Sequence, residues 1–131
     1  MNGTPLHKTA ANCAEELPGA LLEHPFGDDW EVLKVRGKVF MLMTEVPGRP
    51  VVILKADPGE AHALREQYSH ITPGYHMNRK HWITPEAREG VDKELVRELV
   101  TDSYRLVVAH LPKAEQAVDP HTYGSRMRAS R

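Results

Sequence analysis

Apolar residues fall into two periodicities along this chain. Between Glu31 and Lys55 the period is short: three runs rich in β-branched and large apolar residues, Val32–Val35, Lys38–Met43 and Val51–Lys55, are separated by Arg36-Gly37 and by Pro47-Gly48. Two short turns between such runs predict an antiparallel meander. With two-residue loops, Leu33, Phe40, Leu42 and Ile53 share one face, and Val32, Met41, Met43, Val52 and Leu54 the other, so both faces are apolar. A small domain has to cover both, with its own helices and loops or with another subunit, and a homodimer contact is one expectation.

On either side of the meander the period lengthens to that of a helix. Lys8 to Leu22 carries alanine and leucine with polar spacing and predicts an N-terminal helix broken or ended at Leu17-Pro18-Gly19. His24-Pro25-Phe26-Gly27 reads as a turn. Asp57-Pro58-Gly59-Glu60 offers an acceptor at the N-cap, proline at the first helical position and an acid at the third, so a helix starts there and runs to Gln67. Ala61, Leu64 and Tyr68 face its inner side, and His62, Arg65 and Glu66 the solvent; His70 lies past its end. Trp82-Ile83-Thr84 is a short strand, followed by a connector from Pro85 to Gly90.

The longest helix follows. Asp92 caps it, Val91 and Val96 have the spacing of a hydrophobic staple, and Leu95, Leu99, Leu106 and His110 trace its inner stripe up to Pro112. Asp102-Ser103-Tyr104 breaks that stripe with polar groups, which predicts a partly exposed surface or a hydroxyl bonded back to the preceding turn. From Ala114 the periodicity is lost. The expectation is one α+β domain over residues 1–113 and a disordered polar tail over 114–131, bearing Arg126, Arg128 and Arg131.

Composition narrows the function classes. One cysteine, Cys13, excludes an intrachain disulfide and suits a reducing cytoplasm; its alanine-rich surroundings mark it as a buried thiol rather than a nucleophile. No run is apolar enough to span a bilayer and no signal peptide is recognisable, so a cytoplasmic protein without membrane contact is expected. With 17 Lys and Arg against 18 Asp and Glu, the formal net charge of −1 argues against a general nucleic-acid coat protein. Any affinity for a polyanion must come from local clustering within a Debye length, about 8 Å at physiological salt.

One stretch is dense enough in chemistry to supply such a cluster. Thr72 to Trp82 opens on Pro73-Gly74, a type II turn signal, and then gathers Tyr75, His76, Asn78, Arg79, Lys80, His81 and Trp82. Two cations, directional donors and flat rings can together hold an anion. The same residues also suit a purely structural loop, with the rings over the core edge and the polar groups on unpaired backbone carbonyls. Lys34, Arg36 and Lys38 form a second basic group at a hairpin tip. The eight histidines lack metal-site spacing, His76 and His81 standing five apart with no cysteine or carboxylate nearby, so no metal is expected. No nucleophile elbow, phosphate loop or dinucleotide fingerprint appears, and neither catalytic residues nor a cofactor are assigned.

Four segments carry a family resemblance: His24-Pro25-Phe26-Gly27, Lys34-Val35-Arg36-Gly37-Lys38-Val39-Phe40, the string Pro73-Gly74-Tyr75-His76-Met77-Asn78-x-Lys80-His81-Trp82, and Ser103-Tyr104-Arg105-Leu106-Val107. In these the chain resembles the MmcQ/YjbR family, from the first helix to about Lys113. The resemblance implies an antiparallel sheet packed with N-terminal and C-terminal helices, similar to the frataxin/CyaY-like fold, and a DNA-binding role. The site would be Lys34, Arg36 and Lys38 as one basic projection and Tyr75, His76, Asn78, Arg79, Lys80, His81 and Trp82 as a second, straddling a phosphate backbone. The alternative is a protein-interaction or small-anion-binding module that uses the 72–82 loop and an apolar sheet face.

Overall fold

The computed structural model describes residues 3–27, 29–46, 49–73, 80–85 and 93–123. Helix α1 (Gly3–Glu15) leads into strands β1 (Ala20–Glu23), β2 (Trp30–Val35), β3 (Lys38–Val46) and β4 (Arg49–Lys55). Helix α2 (Pro58–Gln67), strands β5 (Ile71–Pro73) and β6 (Trp82–Pro85), helix α3 (Lys93–Ala109) and a short 3-10 turn (Lys113–Glu115) complete it. The six strands form one antiparallel sheet in the order β1-β2-β3-β4-β6-β5. The fold is α+β, as the periodicities predict.

The chain breaks at Pro18-Gly19 as expected, but Ala20 to Glu23 is not helical. Gly19, at φ 77, reverses the chain, and the next four residues add an edge strand to β2. A run of only four residues has too little periodicity to distinguish strand from helix, so pairing with β2 decides its state.

The central hairpin departs from the expected register in one place. Val35 faces Lys38 and Lys34 faces Val39, but Leu33 then faces Met41, leaving Phe40 as the extra residue of a β-bulge. A one-residue slip exchanges the faces of everything beyond it on the partner strand. Leu33 therefore joins Met41, Met43, Val52 and Leu54 in the core under the helices, and Val32 joins Leu42 and Ile53 on the opposite face. Because of the bulge, Phe40 and Met41 both enter the helix-side core, each fully buried.

The opposite face is covered within the single chain at its centre. Val32, Leu42 and Ile53 are buried, with Trp30, Val39 and Trp82 packed around them. Large apolar side chains are exposed instead at and beside the β1 edge: Leu21, Leu22 and Phe26. Phe26 meets the edge of Trp30 with ring centroids 6.4 Å apart.

Helix α3 packs on β2, β3 and β4 and against α1, but its stripe turns as it proceeds. Leu95, Val96, Leu99 and Val100 are buried in its first half and Ser103, Tyr104, Val107 and Val108 in its second, whereas His110 is exposed and Leu106 only half-buried. Ser103 and Tyr104 are thus core residues and not an exposed interruption. The Ser103 hydroxyl donates to the Phe40 carbonyl and accepts the Lys55 backbone N–H at 2.9 Å. A bulge leaves ladder groups without strand partners, and this hydroxyl satisfies two of them. The Tyr104 hydroxyl donates to the Pro18 carbonyl at the end of the α1 turn, and its ring meets Phe40 edge-on at 5.6 Å between centroids.

Helix α2 forms as its capping signals predict. The Asp57 carboxylate accepts from the N–H groups of Gly59 and Glu60, Pro58 is the first helical residue, Ala61 is buried, and Leu64 and Tyr68 pack on the core. Cys13 is buried between α1 and α3, within 3.8 Å of the Thr101 hydroxyl. Burial pushes its thiol pKa up, against a smaller lowering by Thr101, as befits an unreactive side chain.

Packing does not end at Lys113. Val118 and Tyr123 lie against the core, Pro120 is buried, and Arg105 donates from Nε to the Pro120 carbonyl at 2.8 Å. Val118, Pro120 and Tyr123 thus pack beyond Lys113; two apolar side chains without periodicity suffice to dock a short segment. The expected tail arginines, Arg126, Arg128 and Arg131, lie outside the described residues, as do Val91 and Asp92. No helix among the described residues is long and apolar enough to cross a membrane.

Candidate nucleic-acid interface

Strand register determines which cations meet. The β2–β3 turn is Arg36-Gly37, β4 ends at Lys55, and β6 begins at Trp82 as the partner of Lys55. Because Met41 faces Leu54 and Leu54 faces Ile83, these termini all lie at one end of the sheet. Arg36, Lys38, Lys55, Lys80 and His81 therefore gather across four neighbouring strands, a width of about 14 Å at the usual strand spacing. The His81 carbonyl accepts the Ala56 N–H at 2.8 Å, which fixes the segment entering β6 against the end of β4.

The turn holding Arg36 is conformationally unusual. Arg36 has φ 51 and Gly37 φ 79, the pair of positive values that a two-residue type I′ hairpin needs. Glycine adopts this freely, but for arginine the left-handed region costs roughly 1 kcal/mol, and asparagine or glycine is usual there. Arg36 is the one described non-glycine residue with positive φ, and its side chain is 55% exposed. Backbone cost at an exposed hairpin tip marks a residue whose side chain is a candidate for function.

The cations differ in their partners. Arg36 reaches Glu115 on the 3-10 turn at 3.2 Å, and Lys34 reaches Glu23 on β1 at 3.3 Å. Lys38 is exposed, with no ion pair among the described residues. Lys55 places its ammonium 5.9 Å from the centroid of Trp82, a cation–π contact between register partners. Lys80 and His81 are exposed and Trp82 is half-buried. The nearby Asp57 carboxylate is engaged by the helix N-terminus.

Of the residues predicted from sequence, Lys34, Arg36, Lys38, Lys80, His81 and Trp82 are brought to this end of the sheet. Lys34 is spent on Glu23, and Trp82 serves mainly to cover Val32, Leu42 and Ile53. Tyr75, His76, Asn78 and Arg79 lie outside the described residues. Sequence reasoning missed Lys55, whose only signal is its place as the last residue of a predicted strand, and Glu115, which lay in the segment expected to be a tail. A cleft of about 210 Å³ between α2 and α3, lined by Leu64, Tyr68, Leu99, Glu60, Glu98 and Asp102, is acidic, and Glu60, Leu64, Leu99 and Asp102 also line a small neighbouring pocket with Lys55. Among the described residues no group of histidine, cysteine and carboxylate side chains could hold a metal ion.

Comparison with known proteins places this frame. The chain is 44% identical over 116 residues to Uncharacterized protein YbdF of Escherichia coli O157:H7, covering 88% of this chain and 95% of that one. It is 35% identical over 101 residues to Uncharacterized protein YjbR of Escherichia coli K12, covering 76% and 84%. The crystal structure of Deinococcus radiodurans protein DR2400, a DUF419 domain, superposes with a TM-score of 0.72 at 32% identity, over 89% of this chain and 83% of that one. A crystal structure from Pseudomonas syringae gives 0.66 at 25% identity, over 81% and 98%. The YjbR family model matches residues 15–106, a span that includes every strand, both cationic segments and most of α3, and the chain belongs to the YjbR family.

Proposed function

We propose that the protein binds DNA through the phosphate backbone, using the basic end of its sheet. The observation that carries this reading is the meeting of the Arg36–Lys38 hairpin tip with Lys55 and with Lys80–His81 across adjacent strands. The whole group is wider than a Debye length of about 8 Å, but adjacent strands stand only about 4.8 Å apart, so cations on neighbouring strands act together on a polyanion although the chain as a whole bears a net charge of −1. Phosphates rather than bases are the target. One side of Trp82 faces the Lys55 ammonium and its body covers the apolar cluster, so it offers little surface on which to stack an unpaired base. Duplex DNA is then bound at least as tightly as single strands, without sequence preference.

Fluorescence anisotropy with labelled duplex across a salt series tests this. Replacing Lys38 by alanine should make the slope of log K against log salt shallower by about 1, at roughly 0.9 per phosphate contact, with the melting temperature nearly unchanged. The reading fails if the wild-type chain shows no salt-sensitive binding at low micromolar concentration.

A second reading, a protein-interaction module, is favoured by a different observation: the exposed Leu21, Leu22 and Phe26 at and beside the β1 edge. A second copy of the chain adding strand to strand there would form the homodimer. Leu21→Lys would then leave a monomer by analytical ultracentrifugation where the wild type sediments as a dimer.

A further inference from the structure

The two exposed ion pairs near the basic end differ in kind. Lys34 and Glu23 sit on neighbouring strands, one diagonal apart, and their pairing strengthens the sheet edge. Arg36 and Glu115 are 79 residues apart in sequence, and their contact ties the tip of the hairpin to a short turn beyond α3. The hairpin does not need it, because Val35 already pairs with Lys38 and the type I′ turn closes the loop. What Glu115 supplies is a carboxylate oxygen 3.2 Å from the guanidinium at the hairpin tip, on the residue whose backbone is held at φ 51.

A carboxylate and a phosphate present the same chemistry to a guanidinium: a charged oxygen accepting a charge-assisted hydrogen bond. We infer that Glu115 is an internal competitor for the phosphate site on Arg36, so that the 3-10 turn over Lys113–Glu115 masks the basic end until a polyanion displaces it. The inference rests on the proposed phosphate-binding role and adds its regulation. The contact is suited to exchange. Both side chains are well exposed, at 55% and 41%, so the pair is weak and a phosphate can replace the carboxylate without unfolding anything. The turn itself has no buried residue, and the Glu115 carboxylate can leave Arg36 by rotating its own side chain while Leu111 and Val118 on either side stay packed. When Glu115 leaves, the basic end gains a free guanidinium and loses an adjacent negative charge, and both changes favour DNA.

The test measures binding of a labelled duplex to the full chain and to four variants: E115Q, R36A, the double variant R36A/E115Q, and E45Q. Glu45 is exposed at the opposite end of β3, so E45Q controls for the general effect of removing one negative charge. E115Q should bind about threefold more tightly than E45Q, the size an exposed ion pair can impose. That gain should vanish when E115Q is introduced into R36A. Equal affinities for E115Q and E45Q, or a gain that persists without Arg36, overturn the competitor while leaving the phosphate-binding reading intact. If neither the wild type nor any variant binds duplex in a salt-sensitive way, both fall together. Thermal melts of all five proteins should agree closely, because every substitution is at an exposed side chain.

Discussion

The seam between α3 and the bulged hairpin and the basic end of the sheet lie a few residues apart on the same strands, yet they treat polar groups in opposite ways. In the seam, Ser103 and Tyr104 are fully buried, and each hydroxyl is committed to backbone: Ser103 to Phe40 and Lys55, Tyr104 to Pro18. At the basic end, Arg36, Lys38, Lys80 and His81 are exposed, and among the described residues Arg36 is paired with a solvent-accessible carboxylate. Burial makes the difference. A polar group without water must find its bond inside the protein, and once found the bond is structural; a hydrated cation keeps its capacity for a ligand. The two regions are nevertheless linked, because Ser103 fixes the backbone of Lys55, whose side chain belongs to the other region.

The comparison breaks most visibly at Ser103. Ser103→Ala strands the Phe40 carbonyl and the Lys55 N–H in the core and should cost about 2 to 3 kcal/mol, read as a lower midpoint in urea with an unchanged slope. It should also weaken the proposed DNA binding by loosening Lys55, whereas an effect on stability below about 0.5 kcal/mol would mean that the bulge satisfies itself.

Tyr104→Phe is milder. It removes one hydrogen bond, worth about 1 kcal/mol, and keeps the ring against Phe40. It also sharpens the comparison through pH. Burial, with a smaller contribution from Tyr123, pushes the Tyr104 pKa up to about 12 from its ordinary 10.0. The folded state therefore disfavours the phenolate. Its stabilisation of the neutral phenol is fully present below about pH 10 and is lost as pH rises from there through about 12. Stability of the wild type should fall over that window more steeply than that of Tyr104→Phe, as followed by urea unfolding at alkaline pH.

The smallest stability effect belongs to the basic end. Arg36→Asn places a residue at ease in the left-handed region and removes an exposed ion pair, two opposing changes that should leave stability within about 0.5 kcal/mol of wild type. Duplex affinity should fall all the same. A substitution that weakens binding without touching stability separates the two regions; one that unfolds the protein merges them.

Much of this architecture was legible in the chain. The strands between Trp30 and Lys55, the Asp57 cap and the helix after it, the strand at Trp82 and the long helix that follows all announce themselves through local signals: turn dipeptides, capping residues and period. The errors share one cause. Phe40 as a bulge, Ala20–Glu23 as a strand, Ser103 and Tyr104 as core residues and Val118 and Tyr123 as docked side chains each depend on a partner distant in sequence. For the candidate site, Arg36, Lys38, Lys80 and His81 were visible as charge density, but Lys55 and Glu115 were not. Their significance lies in the register of β4 with β6 and in the return of the chain past α3.

The order of residues by itself determined where most of the strands and helices form, because turn geometry, caps and periodicity act within a few residues of one another, whereas Ala20–Glu23 and Ile71–Pro73 are strands through their partners β2 and β6. Only the tertiary structure decided which face each strand residue serves, which polar groups are committed to the backbone, and which cations stand together. Those outcomes depend on register and burial, and a single unpaired residue at Phe40 was enough to exchange the faces of Leu33 and Val32.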